Sequence, residues 1–198
     1  IKIAIRKTRL GYVSKVQRPK NITEQDLDEI EKICRENNAM FIKIEPGTNQ
    51  DEGILKARGY QKSRFPLTPP STIYIDLTQN EQQLWKNLSR SCKYSVRRAR
   101  REGSTVETIQ KPNEKELKEF YMLLKETGKK KKFHVEPFDY LVQQKEVFGN
   151  SSYLVKVYDK EKVLSGAKFF LGNKNIVTYY LGGTSEEGRS GKSGYVLL

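Results

Sequence analysis

The chain has 198 residues, 36% of them apolar and 31% charged, and carries a formal net charge of +13 at pH 7. That length holds one large domain or two small ones with a sizeable core, and Leu, Ile, Val, Tyr and Phe recur in every segment, which excludes a disordered chain. No apolar run approaches the roughly 18 residues that span a bilayer, and two cysteines and one histidine supply neither a disulfide framework nor a metal site, so a reducing, cytoplasmic setting is expected.

Residues 1–7 alternate apolar and basic side chains with the period of a half-buried strand, and residues 12–16 form a second strand after the Leu10-Gly11 turn. Thr23 is a good N-cap for a helix over residues 24–38, with Leu27, Ile30, Ile33 and Cys34 at core spacing. A strand at 39–45 ends at Pro46-Gly47, a brief helix follows at 51–57, and Pro66, Pro69 and Pro70 make a stiff connector. Residues 71–77 read as a strand, and Thr78 with Glu81 reads as a capping box.

Residues 84–103, LWKNLSRSCKYSVRRARREG, then form one long helix in which Leu84, Trp85, Leu88, Cys92, Val96 and Ala99 fall within about 120° of one another. Lys86, Arg90, Lys93, Arg97, Arg100 and Arg101 occupy an arc of about 100° on the other side, and Gly103 stops the helix. No acidic residue lies between Lys86 and Arg101 to offset the repulsion. The charge pattern therefore points to an anionic partner: nucleic acid, a nucleotide or an anionic lipid surface.

A strand at 105–109 precedes an amphipathic helix at 114–127, with Leu117, Phe120, Tyr121 and Leu124 inward. Gly128 is expected to end that helix, with Lys129, Lys130, Lys131 and Lys132 directly after it; four lysines in succession exceed what a helix dipole needs, so at least one is expected to meet a phosphate. A helix at 138–147 and three antiparallel strands at 152–158, 163–171 and 175–181 follow, joined by hairpin turns at 159–162 and 172–174. Tyr179 and Tyr180 end the last strand with one ring inward and one outward, as core and rim. A Gly/Ser loop at 185–194 leads into a helix start. This order predicts a mixed α/β (α+β) chain of two related units, residues 1–103 lacking a beginning and residues 104–198 lacking an end, as in a slice of a longer protein.

Familiar catalytic constellations fail one by one. His134 stands alone, with no partner for a hydrolase triad. A P-loop ending in Gly191-Lys192-Ser193 needs a glycine where Glu186 stands, and a pyrophosphate loop starting at Arg189 needs one where Lys192 stands.

The run Lys93-Tyr94-Ser95-Val96-Arg97-Arg98-Ala99-Arg100-Arg101-Glu102-Gly103 resembles the K/R-Y-N-I-R-x-A-x-x-x-G signature of the Fem family, the peptidyltransferases that add bridge amino acids to peptidoglycan precursors in bacteria, with Ser95 for asparagine and Val96 for isoleucine. Other segments agree in the same order. Residues 12–19 resemble the strand ending in a P-R-G-P loop, Phe41-Ile42-Lys43-Ile44-Glu45-Pro46 is similar to the I-K-I-E-P strand, and Gly59-Tyr60 resembles a G-F element. Residues 69–77 resemble P-x-x-T-x-x-x-D-L, and Tyr180-Leu181-Gly182-Gly183-Thr184-Ser185 resembles Y-x-x-G-A-S.

The resemblance implies two GNAT-like acyltransferase units and transfer of an amino acid from aminoacyl-tRNA to a stem-peptide amine on a UDP- or lipid-linked muropeptide. It implies no metal and no CoA, the charged tRNA being the donor substrate, and a location in the cytoplasm with peripheral contact at the inner membrane face. The family's T-G-x-R-x-x-F segment is similar to residues 127–133, which gives Lys130 the phosphate-binding arginine's place and sets Phe133 beside it, and Tyr180 matches a substrate-site tyrosine. Lys93, Arg97, Arg100 and Arg101 are the expected tRNA contacts. The family's early lysine and late Phe-Lys pair would lie before Ile1 and beyond Leu198. The cations are expected to grip two phosphate-bearing reactants in one shared groove. The rival expectations are a GNAT-type acetyltransferase using acetyl-CoA, disfavoured by the failed pyrophosphate loop, and a non-enzymatic RNA-binding module built on the basic helix.

Overall fold

The computed structural model describes residues 1–19, 21–47, 50–65, 72–172 and 175–197. They form two compact units, Ile1–Ile75 and Asp76–Leu198. The break falls ahead of the basic helical stretch rather than after Gly103, because that stretch packs its apolar side on the second unit's sheet.

In the first unit, strands β1 (Ile3–Thr8) and β2 (Gly11–Gln17) pair antiparallel, and β3 (Ala39–Glu45) joins β2 in parallel. The crossover carries helix α1 (Glu24–Glu36), whose Thr23 and Asp26 form a reciprocal capping box. Ile30 and Cys34 of α1 pack on Val16 and the flanks of β3. Helix α2 (Glu52–Ala57) adds Leu55 to Ile22 and Leu27. Arg58 then ties back to α1 through Glu24 and Asp28, each at 2.7 Å. Residues 72–77 are no strand: among the described residues they have no ladder partner, and Ile73, Tyr74 and Ile75 are exposed. Residues 66–71, with Pro66, Pro69 and Pro70, lie outside the described residues.

In the second unit the expected single helix is two. Helix α3 (Glu81–Asn87) ends where Leu88 adopts an extended backbone, and helix α4 (Arg90–Arg101) starts afresh from Ser89, whose hydroxyl accepts from the Cys92 amide. Asn80 and Gln83, not Thr78 and Glu81, make the capping box, because Thr78 is engaged by Asp76 in a local turn. Gly103 closes α4 with φ of +91°, a conformation that favours glycine, while the Ser104 amide reaches the Ala99 carbonyl.

Strands β4 (Thr105–Gln110), β5 (Ser152–Asp159), β6 (Lys162–Leu171) and β7 (Val177–Thr184) form an antiparallel sheet in chain order. Helix α5 (Glu114–Lys131) and helix α6 (Phe138–Phe148) stand between β4 and β5 in the chain. Both faces of the two central strands are covered. Val157 and Ala167 meet Val96 and Ala99 of α4, whereas Leu154 meets Phe120 and Leu124 of α5 and Leu141 of α6. Helix α4 therefore lies on one face of the sheet and α5 with α6 on the other. The stretch read as a Gly/Ser loop holds a short helix, α7 (Glu186–Ser190), and a 3-10 turn at Ser193–Val196. Ser193 pins both, donating to the Gly188 carbonyl at 3.1 Å and meeting the buried Ser165.

Candidate functional site

Helix α5 runs through Gly128 to Lys131, correcting the expectation that Gly128 would stop it. Gly128 is buried because the chain folds back over it: a Cβ there would meet the Phe133 carbonyl and the Val135 side chain. The stop comes at Lys132, left-handed at φ 57°, after which the Phe133 amide reaches the Gly128 carbonyl at 3.1 Å. Lys130 in the last turn is half-exposed and lies 3.6 Å from Glu186 at the start of α7. An exposed pair of this kind contributes about 0–1 kcal/mol, so an incoming anion can displace the glutamate. Phe133 is half-exposed just beyond the cap. Its neighbour but one, Val135, packs in the cluster that also contains Leu181 of β7. Lys130, Phe133 and Tyr180 thus belong to elements that meet on the α5–α6 face.

Tyr180 owes its direction to a bulge. Phe169 pairs with Tyr179 and Lys168 with Leu181, leaving Tyr180 as the extra residue on β7. Its ring lies 5.2 Å from Phe170, on the α6 side, while Tyr179 stacks edge-on with Phe169 at 5.2 Å. The rings do fall on opposite sides of the strand, but both are exposed, so the expectation of one inward ring is corrected. The Tyr180 hydroxyl accepts from Gln144 Nε2 at 3.0 Å and lies beside Tyr140, and burial moves its phenol above the ordinary value.

Behind Gln144 sits Lys168, a residue sequence reasoning missed. Its residue exposure is 0%, and its Nζ donates to Gln144 Oε1 at 3.1 Å and toward the Leu141 carbonyl at 3.5 Å. Among the described residues it has no carboxylate partner, unlike the equally deep Lys156, which meets Glu119 at 2.9 Å. Burial alone pushes the Lys168 ammonium down to about 8. The available signal was a single charge inside the otherwise uncharged core of the run 163–171.

The second set lies on α4. Arg90, Lys93, Tyr94, Arg97, Arg98 and Arg101 line a groove of about 460 Å³. Arg100 is exposed on the same helix, and Tyr94 is 59% exposed. Arg97 stacks over Trp85 at 5.4 Å. Lys93 is partly committed, donating to the Lys86 carbonyl at the end of α3. Arg98 pairs with Glu102 at 2.7 Å, whereas Arg90, Arg97, Arg100 and Arg101 have no ion-pair partner among the described residues. Ser95, Val96 and Ala99 of the same run are buried, so its small and apolar positions are packing residues. The two sets of cations do not share a groove within this unit. A sheet packed on both faces sends α4 to one side and Lys130, Phe133 and Tyr180 to the other, which corrects that expectation.

The fold is mixed α/β, and comparisons of sequence and of structure place it beside known proteins. The family model described as FemAB family matches residues 55–158, just over half the chain, and the chain belongs to that family. It is 27% identical over 153 residues to a lipid II:glycine glycyltransferase of Staphylococcus aureus, covering 69% of this chain and 36% of that protein. A protein of the same name from Staphylococcus haemolyticus is 27% identical over 129 residues, covering 59% of this chain and 30% of that one. The chain thus spans about a third of the length of these relatives. The crystal structure of FemX superposes with a TM-score of 0.69 at 18% identity, over 98% of this chain and 70% of that chain, a likeness of fold.

Proposed function

We propose that the protein is an aminoacyltransferase that moves an amino acid from aminoacyl-tRNA to the stem-peptide amine of a peptidoglycan precursor. The observation that carries this reading is membership of the FemAB family together with relatives named lipid II:glycine glycyltransferase. A lipid-linked acceptor is favoured by those names, and work at the cytoplasmic membrane face follows from such an acceptor. The reading includes peripheral contact with that surface; no helix among the described residues is long and apolar enough to cross a membrane.

In the reaction, the acceptor amine attacks the ester carbonyl carbon, an amide forms, and the tRNA leaves as its free hydroxyl, taking up the proton the amine gives off. The protein's work is to hold both reactants in line and stabilise the oxyanion. Neither a metal nor CoA enters this scheme. Lys130, with Phe133 beside it, would meet the muropeptide phosphates; a lysine serves there as a point charge without the bidentate fork of arginine. Tyr180 would line the same cleft. Arg97, Arg100, Arg101 and Lys93 would hold tRNA backbone phosphates, and their position on the opposite sheet face suits the body of the tRNA rather than its reacting end. The GNAT-like repeat organisation belongs to this reading as well.

The test is an assay with lipid II and tRNA charged with a labelled amino acid. Label appearing in lipid II supports the proposal. Turnover that needs acetyl-CoA instead, or RNA binding with no turnover, overturns it.

A further inference from the structure

We propose that Lys168 is a positioning residue that acts through Gln144 to turn the Tyr180 hydroxyl outward, as a hydrogen-bond donor to an oxygen of the bound ligand. This rests on the reading of Tyr180 as a ligand contact and adds what orients it.

An ammonium only donates, and a glutamine amide has one accepting and one donating end. With Lys168 Nζ 3.1 Å from Gln144, the amide oxygen must face the lysine, since the flipped amide would set its NH₂ against a cation. The amide nitrogen is thereby committed to Tyr180, at 3.0 Å, and the phenol oxygen must accept. The phenol's own proton is left for another acceptor. In the free protein Tyr140 stands beside that hydroxyl, and its proximity favours the protonated Tyr180. Tyr180 and Tyr140 are 38% and 42% exposed, so a ligand oxygen can take over the proton.

The placement has no packing rationale. Lys168 pairs with Leu154 across the ladder and is wholly enclosed, where an uncharged residue would avoid the desolvation cost. The Phe170 ring, 5.1 Å from Nζ, offsets part of it. The charged and titratable groups facing the pair are Tyr140 on α6 and Glu136 just before it. Lysine, amide and phenol form a one-way chain from β6 across α6 to β7.

Gln144→Glu, nearly isosteric, reverses the chain: the carboxylate pairs with Lys168 and accepts from Tyr180, drawing its proton inward. Affinity for a short-chain, water-dispersible lipid II is measured for the full chain and its variants. Tyr180→Phe is expected to weaken binding about tenfold, the worth of one hydrogen bond. Gln144→Glu is expected to weaken it equally, and the double variant no further. With 3-fluorotyrosine at position 180, the ¹⁹F titration midpoint of the phenol is expected to rise in Gln144→Glu. A midpoint unchanged from the wild type overturns the relay whatever the ligand does. Wild-type affinity in Tyr180→Phe overturns the reading of Tyr180 as a ligand contact, and with it the outward role. Full affinity in Gln144→Glu beside a weakened Tyr180→Phe overturns the relay alone.

Discussion

Replacing Lys168 by methionine tests whether a cation is truly enclosed in the second unit. Met fills similar volume without the charge. In the wild type the ammonium is held down at about 8 by burial, against 10.5 when unfolded. Below pH 8 the lysine is charged in both states, and the folded state bears a desolvation penalty of up to about 3 kcal/mol, at 1.36 kcal/mol per unit. Between pH 8 and 10.5 the unfolded chain binds more protons than the folded one, so stability attributable to Lys168 rises with pH. Linkage gives a gain of about 2 kcal/mol between pH 7 and 9.5. Methionine has no such dependence, although it leaves the Gln144 amide oxygen without its donor, a constant loss of about 1–3 kcal/mol. Urea unfolding of both proteins at four pH values isolates the difference. The wild type should gain on the variant by about 2 kcal/mol as pH climbs through this window. A difference that stays flat would refute the enclosure of the charge.

Three other outcomes are expected. Gly183→Ala places a Cβ 2.8 Å from the Leu123 carbonyl carbon and 2.9 Å from the Leu124 amide nitrogen, both backbone atoms that cannot yield; the loss should be about 2–3 kcal/mol by thermal or urea unfolding, and a change under about 0.5 would contradict the packing of β7 on α5. Arg97→Glu/Arg101→Glu should lower tRNA affinity at least about a hundredfold and cut the slope of log K against log salt by about 2; an unchanged slope would remove α4 from the tRNA path. Lys130→Ala should change stability by less than about 0.5 kcal/mol, its partner Glu186 being exposed, yet weaken lipid II binding about three- to tenfold; unchanged binding would count against the phosphate role.

Local chemistry made much of the fold legible. The Thr23 cap, the span of β3 and the hairpin of β5 with β6 followed from sequence signals that no tertiary contact opposes. The misreadings share one cause, which is that a local pattern admits two answers and packing decides. Two overlapping capping boxes are written in residues 78–83, and Asp76 removes one of them by taking Thr78. Ser89 could be helix interior or cap, and the 100° count passed over it. Gly128 reads as a stop since glycine costs about 1 kcal/mol inside a helix, yet here it makes room for the returning chain. The Fem-like motifs made Tyr180, Phe133 and Lys130 legible as candidates. The Lys168–Gln144 pair was not legible, because its members lie 24 residues apart on a strand and a helix, and nothing local says that Lys168 is enclosed.

The proposed activity is transfer of an amino acid from tRNA to a muropeptide. Mass spectrometry of lipid II after incubation with the full chain and aminoacyl-tRNA measures it directly. The predicted result is a mass increase of one amino-acid residue on the stem peptide, abolished when ribonuclease is added first. Lipid II of unaltered mass, or an increase that survives ribonuclease, would contradict it.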